Sequence, residues 1–494
     1  MIPDGWTAAA SRLLQIVFLI VVVQTLFSVP KLTWDLAFPG REGLGIALSA
    51  AIALGTAALL WAGRNRVASW VGAAGERLAR VPRRRWLAMV IALGIALRLA
   101  WALLLPAQAT SDALSYYQLA ERLAQGLTYQ TPTGEWAVWP PGYPFLLLVH
   151  FKLLGIGPWA VIVSNLLLFT ASVLAVHALA RRFGEGAARL STLFLAVWPN
   201  LVMLGGIASK EGVIVFLLPA ILLLYLGAGE RDRRSPWLAR GMTFAAGLVL
   251  GYATLTQPAL QLLVAAFIAY EILRRTPVLE TGLRFGLVLG GMALVIFPWT
   301  LRNERVLGEP VLISTNGGSV FYRANNPLAT GGYISDGERS LRGYDELTQD
   351  RLGYQWGKEW IRENPGDFLR LALNKQIFFL GDDSMGAYDT LKRGRGEGGG
   401  LYAAAKLLSS AYWWGIWALM LAVFLARGNT LWHRRADVVL ILLAILYFWT
   451  IDSVFESGSR HHLPIVGLLA ILAAAGTARE RGADATMVEQ GLKM

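Results

Sequence analysis

Four short stretches of this chain concentrate side chains that can hold an anion or take a proton. Ser111 and Asp112 are followed by Tyr116 and Tyr117, Lys210 precedes Glu211, Arg302 precedes Asn303, and Arg460, His461 and His462 are consecutive. The Asp112 carboxylate can accept a proton from a hydroxyl. Lys210, Arg302, Arg460, His461 and His462 can surround a phosphate, with Tyr116 and Tyr117 beside it. Asp112, Glu211, Asp452 and Glu456 also offer hard oxygens suited to Mg²⁺ or Mn²⁺. No spacing among them demands a metal, and no metal or other cofactor is assigned. The chain has no cysteine, so thiolate sites and disulfides are excluded. Arg98 lies deep in an apolar run, where an unpaired cation is costly. It is read as a structural pairing inside a helix bundle.

The elements that must position these residues are membrane helices. Of the 494 residues, 55% are hydrophobic and 16% charged, against about 25% charged in a soluble chain. Apolar runs recur that approach the ~20 residues needed to cross a bilayer. They predict twelve spans near 11–29, 43–62, 86–105, 158–180, 187–204, 211–228, 241–256, 258–273, 285–299, 409–426, 436–452 and 462–477. The run from Pro144 to Gly155 is too short and reads as re-entrant or interfacial. The first run is not a cleavable signal, because it is long and a second follows closely.

The net charge of +12 is unevenly placed. Alternate loops carry Arg64, Arg66, Arg77, Arg80 and Arg83 to Arg85; Arg181, Arg182 and Arg189; Arg231, Arg233, Arg234 and Arg240; Arg274, Arg275 and Arg284; Arg427, Arg434 and Arg435; and Arg479 and Arg481. These are cytoplasmic by the positive-inside rule, with both termini inside. The opposite face receives 106–143, the Ser209–Glu211 turn, Thr256–Pro258, 300–408 and Asp452–His462. Nearly every residue able to do chemistry lies there.

In 106–143, Ser111 or Asp112 can cap a short interfacial helix that Gly126 ends. Trp136, Trp139, Pro140, Pro141, Gly142 and Tyr143 form an aromatic, proline-stiffened turn at headgroup depth. In 300–408, Val311 to Thr315 is predicted as a strand and Asn316-Gly317-Gly318 as a turn. Tyr344 to Asn364 is predicted helical, and Phe368 to Leu380 as a second interfacial helix. Gly381 to Gly400 lacks periodicity and is predicted mobile. The organisation is then a transmembrane hairpin with a basic loop (1–85), a membrane core (86–299), an extracytoplasmic domain (300–408) and C-terminal helices with a tail (409–494).

The order of several motifs resembles the GT-C superfamily of membrane glycosyltransferases, in the bacterial branch related to protein O-mannosyltransferases and aminoarabinose transferases (glycosyltransferase family 39-like). The pieces are Arg98, Ser111-Asp112 through Tyr117 with Leu119-Ala120, Trp139-Pro140-Pro141-Gly142-Tyr143-Pro144, Ser209-Lys210-Glu211 and Thr256-Gln257-Pro258. Further on come Pro298-Trp299-Thr300-Leu301-Arg302-Asn303, Ser314 to Gly318, Asn325-Asn326-Pro327 and Ser459 to Pro464. The resemblance implies an all-α polytopic fold of the GT-C type, with about twelve transmembrane helices, interfacial helices and a small mixed α/β extracytoplasmic domain. It implies an inverting transfer of a sugar from a polyprenyl-phosphate carrier, such as undecaprenyl phosphate, to an extracytoplasmic glycan, lipid or protein. Asp112 would be the base, Glu211 would assist, and the cations would hold the departing phosphate. The site would face the periplasm or exterior of a bacterial inner (plasma) membrane, with membrane lipid but no nucleic acid as a partner. Three features depart from the family pattern: two spans precede the one leading into the first loop, Gln257 stands where relatives often have arginine, and Asp112 is followed by Ala113 rather than a second acid.

A transporter or flippase for a lipid-linked glycan is the rival reading. It calls for charges or broken helices at mid-membrane in both halves, whereas polar residues here crowd one face. A third reading is a non-catalytic partner in envelope assembly, which would tolerate loss of Asp112 and Glu211.

Overall fold

The computed structural model describes residues 6–232, 234–431 and 436–475. Arg233, Arg434, Arg435, Arg479 and Arg481, which the topology reading used, lie outside them. The chain is an all-α, multi-pass membrane protein, and no strand forms among the described residues. The helices are α1 (Trp6–Ala37), α2 (Glu42–Ala79), α3 (Arg83–Leu104), α4 (Ser111–Ala124), α5 (Gly142–Leu154), α6 (Pro158–Ala180), α7 (Glu185–Ala196), α8 (Pro199–Met203), α9 (Glu211–Arg231) and α10 (Pro236–Thr256). There follow α11 (Val264–Leu273), α12 (Val278–Leu307), α13 (Gly317–Ala324), α14 (Glu346–Glu363), α15 (Pro365–Leu380), α16 (Met385–Ala387), α17 (Gly400–Leu431), α18 (Ala436–Ile451) and α19 (Val466–Ala474).

Among the described residues, eight helices are long and apolar enough to cross a membrane: α1, α2, α3, α6, α9, α10, α12 and α17. The pair α7 and α8, bent by 49°, makes a ninth if counted as one broken span. The expectation of twelve spans is therefore corrected. The predicted segments 258–273, 436–452 and 462–477 fall on shorter apolar helices. At 1.5 Å rise per residue, 16 residues reach about 24 Å, short of the ~30 Å hydrocarbon layer. Their apolarity serves burial instead: Val438 to Leu442 and Leu468 to Ala474 are in the core.

The bundle closes through small residues, as membrane helices do where lipid gives no hydrophobic drive. A side chain on Gly247 would collide with the Val288 carbonyl, and one on Gly291 would press on Phe244 and Leu248. That glycine seam brings α10 and α12 together. The break between α7 and α8 follows from Pro199, which offers no backbone N–H. Its loose end is satisfied by Arg98, whose Nη1 donates to the carbonyls of Ala196 and Gly94 at 3.0 Å each. The Arg98 guanidinium also lies 3.8 Å from the centre of the Phe169 ring. This is the structural pairing expected for that charge.

Segment 300–408, expected to be mixed α/β, is helical among the described residues. Residues 311–315, predicted as a strand, do not form one. Their carbonyls are taken by side chains of α12 instead. Trp299 Nε1 donates to Ile313 O at 2.7 Å, Thr300 Oγ1 to Leu312 O at 2.9 Å and Asn303 Nδ2 to Val311 O at 2.9 Å. Gly317 and Gly318 open α13 rather than forming a turn. The helices predicted over 344–364 and 368–380 are present as α14 and α15. Asp345 caps α14, accepting from Leu347 N and Thr348 N.

Candidate functional site

α4 lies between α3 and α5 and carries Asp112 in its first turn. Ser111 sits in the left-handed region at φ 52°, a conformation that costs a non-glycine residue of order 1 kcal/mol and that recurs at functional sites. Neither Ser111 nor Asp112 caps the helix, since the N-cap is Thr110 and no side chain bonds there. The Asp112 carboxylate is thus free of the role that commonly accounts for Asp at a helix start. It forms an ion pair with Arg460 and takes a bond from Ser111 Oγ at 3.3 Å. Both ion-pair side chains keep about a quarter of their surface accessible, 28% for Arg460 and 25% for Asp112, so a ligand can reach them.

Lys210, Glu211 and Arg460 share this place. Ser209 Oγ donates to Glu211 Oε2 at 2.6 Å, orienting the carboxylate at the start of α9. Burial pushes the Asp112 carboxyl up, but Arg460 and Lys210 outweigh it and hold it below the usual carboxylate range. Burial lowers the Lys210 ammonium, opposed by Glu211 and Asp112. Burial also works against the Arg460 charge, yet Asp112, Glu211 and Glu456 raise it above the ordinary guanidinium value. At neutral pH the site therefore presents an ionised carboxylate against permanent positive charge.

The turn between α18 and α19 delivers Arg460. It is fixed from α15 by Lys375, whose Nζ donates to Val454 O and Asn325 Oδ1, both at 2.9 Å. Asn325 Nδ2 donates to Val454 O at 2.9 Å, and Ser457 Oγ to Lys375 O at 2.7 Å. On the same turn, Arg323 pairs with Glu456 at 3.3 Å. His461 faces Asp452 at 3.3 Å from Nδ1 and is held neutral, down to about 3, by burial and then by Arg460.

Of the remaining candidates, Tyr116 borders the cluster closely enough to feel the charges of Asp112, Glu211 and Arg460, and the others lie elsewhere. His462 is fully buried and stacks on Trp413 with ring centres 4.1 Å apart. Its two nitrogens meet Phe379 O and Asp383 Oδ1. Asp383 also accepts from Trp198 Nε1 at 2.7 Å and bonds Asn200, tying the α7–α8 break to this turn. Arg302 donates to the carbonyls of Trp136 and Tyr129 and lies 4.6 Å from the Trp299 ring centre. Glu346 holds the same loop from the other side, accepting from Trp136 N, Ala137 N and Thr315 Oγ1. Arg302 and Glu346 together clamp the first loop. Tyr116 is buried edge-on between Trp139 and Tyr143, at 5.4 and 5.6 Å, and Tyr117 packs on Phe151 at 5.0 Å. Among the described residues, no group of three or more His, Cys, Asp or Glu side chains is arranged to hold a metal ion.

Asp389 was not foreseen. The segment from Gly381 to Arg393, expected to be mobile, is packed: Asp383, Ser384, Ala387, Thr390 and Leu391 are buried. Gly386 N donates to Asn200 Oδ1 at 2.6 Å, and a side chain on Gly386 would collide with Asn200 O. A π-helical turn over Tyr388–Arg393 follows. It is pinned to the exit of α3 by Gln108 N to Gly394 O at 3.2 Å and Arg395 Nη1 to Pro106 O at 3.1 Å. Asp389 pairs with Arg393 at 3.6 Å. Burial pushes its carboxyl up to about 7; Arg393 opposes this, while Glu211 and Asp112 add to it.

Residues 138–301 match the family model described as dolichyl-phosphate-mannose-protein mannosyltransferase. The chain is also similar to solved structures. One is the archaeal oligosaccharyltransferase AglB from Archaeoglobus fulgidus, in complex with an inhibitory peptide and a dolichol-phosphate, at 13% identity and TM-score 0.49 over 83% of this chain and 52% of that one. Another is ArnT from Cupriavidus metallidurans bound to undecaprenyl phosphate, at 18% identity and TM-score 0.41 over 83% and 81%. The chain spans about half the length of the archaeal enzyme. No curated protein matches it in sequence.

Proposed function

We infer that this chain, whose residues 138–301 belong to the family named for dolichyl-phosphate-mannose-protein mannosyltransferases, transfers a sugar from a polyprenyl-phosphate carrier to an acceptor outside the cytoplasm. The observation that carries the reading is the meeting of Asp112, from the first loop, with Lys210 at the head of α9 and Arg460 from the last turn. A transferase using a phosphate leaving group needs a base for the acceptor hydroxyl and positive charge for the departing phosphate, and little else.

In the resting state Arg460 neutralises Asp112. An arriving sugar phosphate competes for the guanidinium, whose planar fork suits phosphate oxygens. Asp112 is then free to accept the proton of the acceptor hydroxyl. The acceptor oxygen bonds to the anomeric carbon as the bond from that carbon to the phosphate oxygen breaks. The electron pair leaves with polyprenyl phosphate, held by Arg460 and Lys210. Glu211, oriented by Ser209, sustains the Lys210 charge. One carboxylate base without a covalent nucleophile gives inversion at the anomeric carbon. His461, neutral and partly accessible, is suited to a hydrogen bond with the phosphate. Arg302 and His462 support the reading by holding the loops that carry Asp112 and Arg460. The GT-C architecture, the orientation with both termini inside and a location in a bacterial plasma membrane belong to the same proposal.

The test is transfer by the purified chain from a panel of polyprenyl-phosphate sugars, with free polyprenyl phosphate and the anomer of the product as readouts. Release with inversion is expected from at least one donor. No release from any donor, with transbilayer movement of lipid-linked glycan in vesicles instead, would replace the enzyme with a flippase.

A further inference from the structure

The extracytoplasmic domain contains a cleft of about 530 Å³ between α14, the start of α15 and the loop that follows α13. This is within the 300–1,000 Å³ typical of ligand sites. None of Asp112, Lys210, Glu211 and Arg460 lines it, so it is a separate feature. Two tryptophans, Trp356 and Trp360, come from one face of α14, one turn apart. Trp356 is fixed by the edge of Tyr322 at 5.4 Å and by Arg339, 5.5 Å from its ring centre. Trp360 has no ring contact among the described residues and is only partly buried. It presents an aromatic platform to the cleft.

Around that platform stand Glu363, Asp367 and Asn374. Carboxylates and amides are planar groups that pair with neighbouring hydroxyls, and an aromatic face suits the C–H side of a sugar ring. The whole lining holds four carboxylates against two guanidiniums, Arg339 and Arg370. Those two are paired with Glu359 at 3.6 Å and Asp367 at 3.3 Å. The cleft is therefore net negative and rejects a lipid phosphate or an acidic glycan. It is polar as well, which disfavours a lipid chain. No strand edge lines it among the described residues, so an extended peptide would lack main-chain partners.

We propose that this cleft binds a neutral or amino-bearing oligosaccharide, with Trp360 as its stacking platform. That the oligosaccharide is the acceptor rests on the transfer reaction proposed above; the binding itself does not.

The experiment uses the full chain in lipid nanodiscs, because sugar-headed detergents would compete. Gluco-, manno- and chitohexaose and a neutral Ser/Thr-rich decapeptide are titrated while tryptophan fluorescence and heat are followed. Saturable binding of at least one hexaose is expected, weakened tenfold or more by Trp360→Ala and several-fold by Asn374→Ala, and unchanged in Asp112→Asn. Both substitutions in the cleft are at partly or fully exposed positions, and an unchanged thermal midpoint reports an intact fold. Failure of every hexaose to bind, binding indifferent to Trp360→Ala and Asn374→Ala, or binding of the peptide alone would overturn the proposal. Hexaose binding by a wild type that releases no polyprenyl phosphate would keep the cleft and remove the transfer reaction.

Discussion

Arg460 and Asp112, separated by 348 positions in sequence, form a direct, partly buried ion pair. The pair sets the protonation state of the acid and supplies the cation that a phosphate would claim. Replacing Arg460 by Met should lower turnover about 10²-fold or more and raise the donor KM. Arg460→Lys should recover part of both, since it keeps the charge but loses the fork. Steady-state kinetics on the two variants checks this; equal loss in both would mean that only the guanidinium geometry matters.

Lys375 holds the turn that carries Arg460 without touching the Asp112 cluster. Lys375→Ala would leave Asn325 Oδ1 without its buried donor, while Val454 O keeps the bond from Asn325 Nδ2, at about 1–3 kcal/mol for the unsatisfied group. A fall in thermal midpoint with loss of activity is expected. Lys375→Met should regain packing but not the bonds, and so recover stability more than turnover.

Asp389 predicts a pH signature. Its folded-state value of about 7 is raised above the ordinary 3.8. Its contribution to stability is therefore full below 3.8 and is lost as pH rises through about 7. Above that pH a third negative charge joins Asp112 and Glu211. Asp389→Asn should remove this decline, so that its melting temperature changes less than that of wild type between pH 5 and 8. Parallel curves for the two proteins would refute the assignment.

Helices α13 and α14 cross at glycines. A side chain on Gly318 would collide with the Asp350 carbonyl, and one on Gly353 with Gly318 itself. Gly318→Ala and Gly353→Ala should each separate α13 from α14 and destabilise the domain by about 1–3 kcal/mol or more. Faster proteolysis within 317–364, with the membrane core still protected, is the expected readout.

The sequence made legible the helical nature of the apolar segments within the described residues, because hydropathy is a local signal. It read 258–273, 436–452 and 462–477 as spans where the helices are shorter, since an apolar run reads alike whether it meets lipid or protein. The strand predicted over 311–315 does not form, and the partners of its carbonyls are side chains in the Trp299 to Asn303 motif. Adjacent His461 and His462 could not be told apart, although the turn sends one toward Asp452 and the other onto Trp413. Asp389 was hidden in a glycine-rich stretch whose glycines, Gly386 among them, serve close backbone approach rather than freedom. Asp112 and Arg460 were each visible, but their pairing depends on a fold that spacing alone does not disclose.

The most direct measurement compares wild type and Asp112→Asn in two assays on one preparation: binding of a polyprenyl-phosphate sugar, and release of polyprenyl phosphate on adding acceptor. The account predicts donor binding within a few-fold of wild type and a loss of turnover of 10²-fold or more. Turnover by Asp112→Asn at the wild-type rate would contradict it.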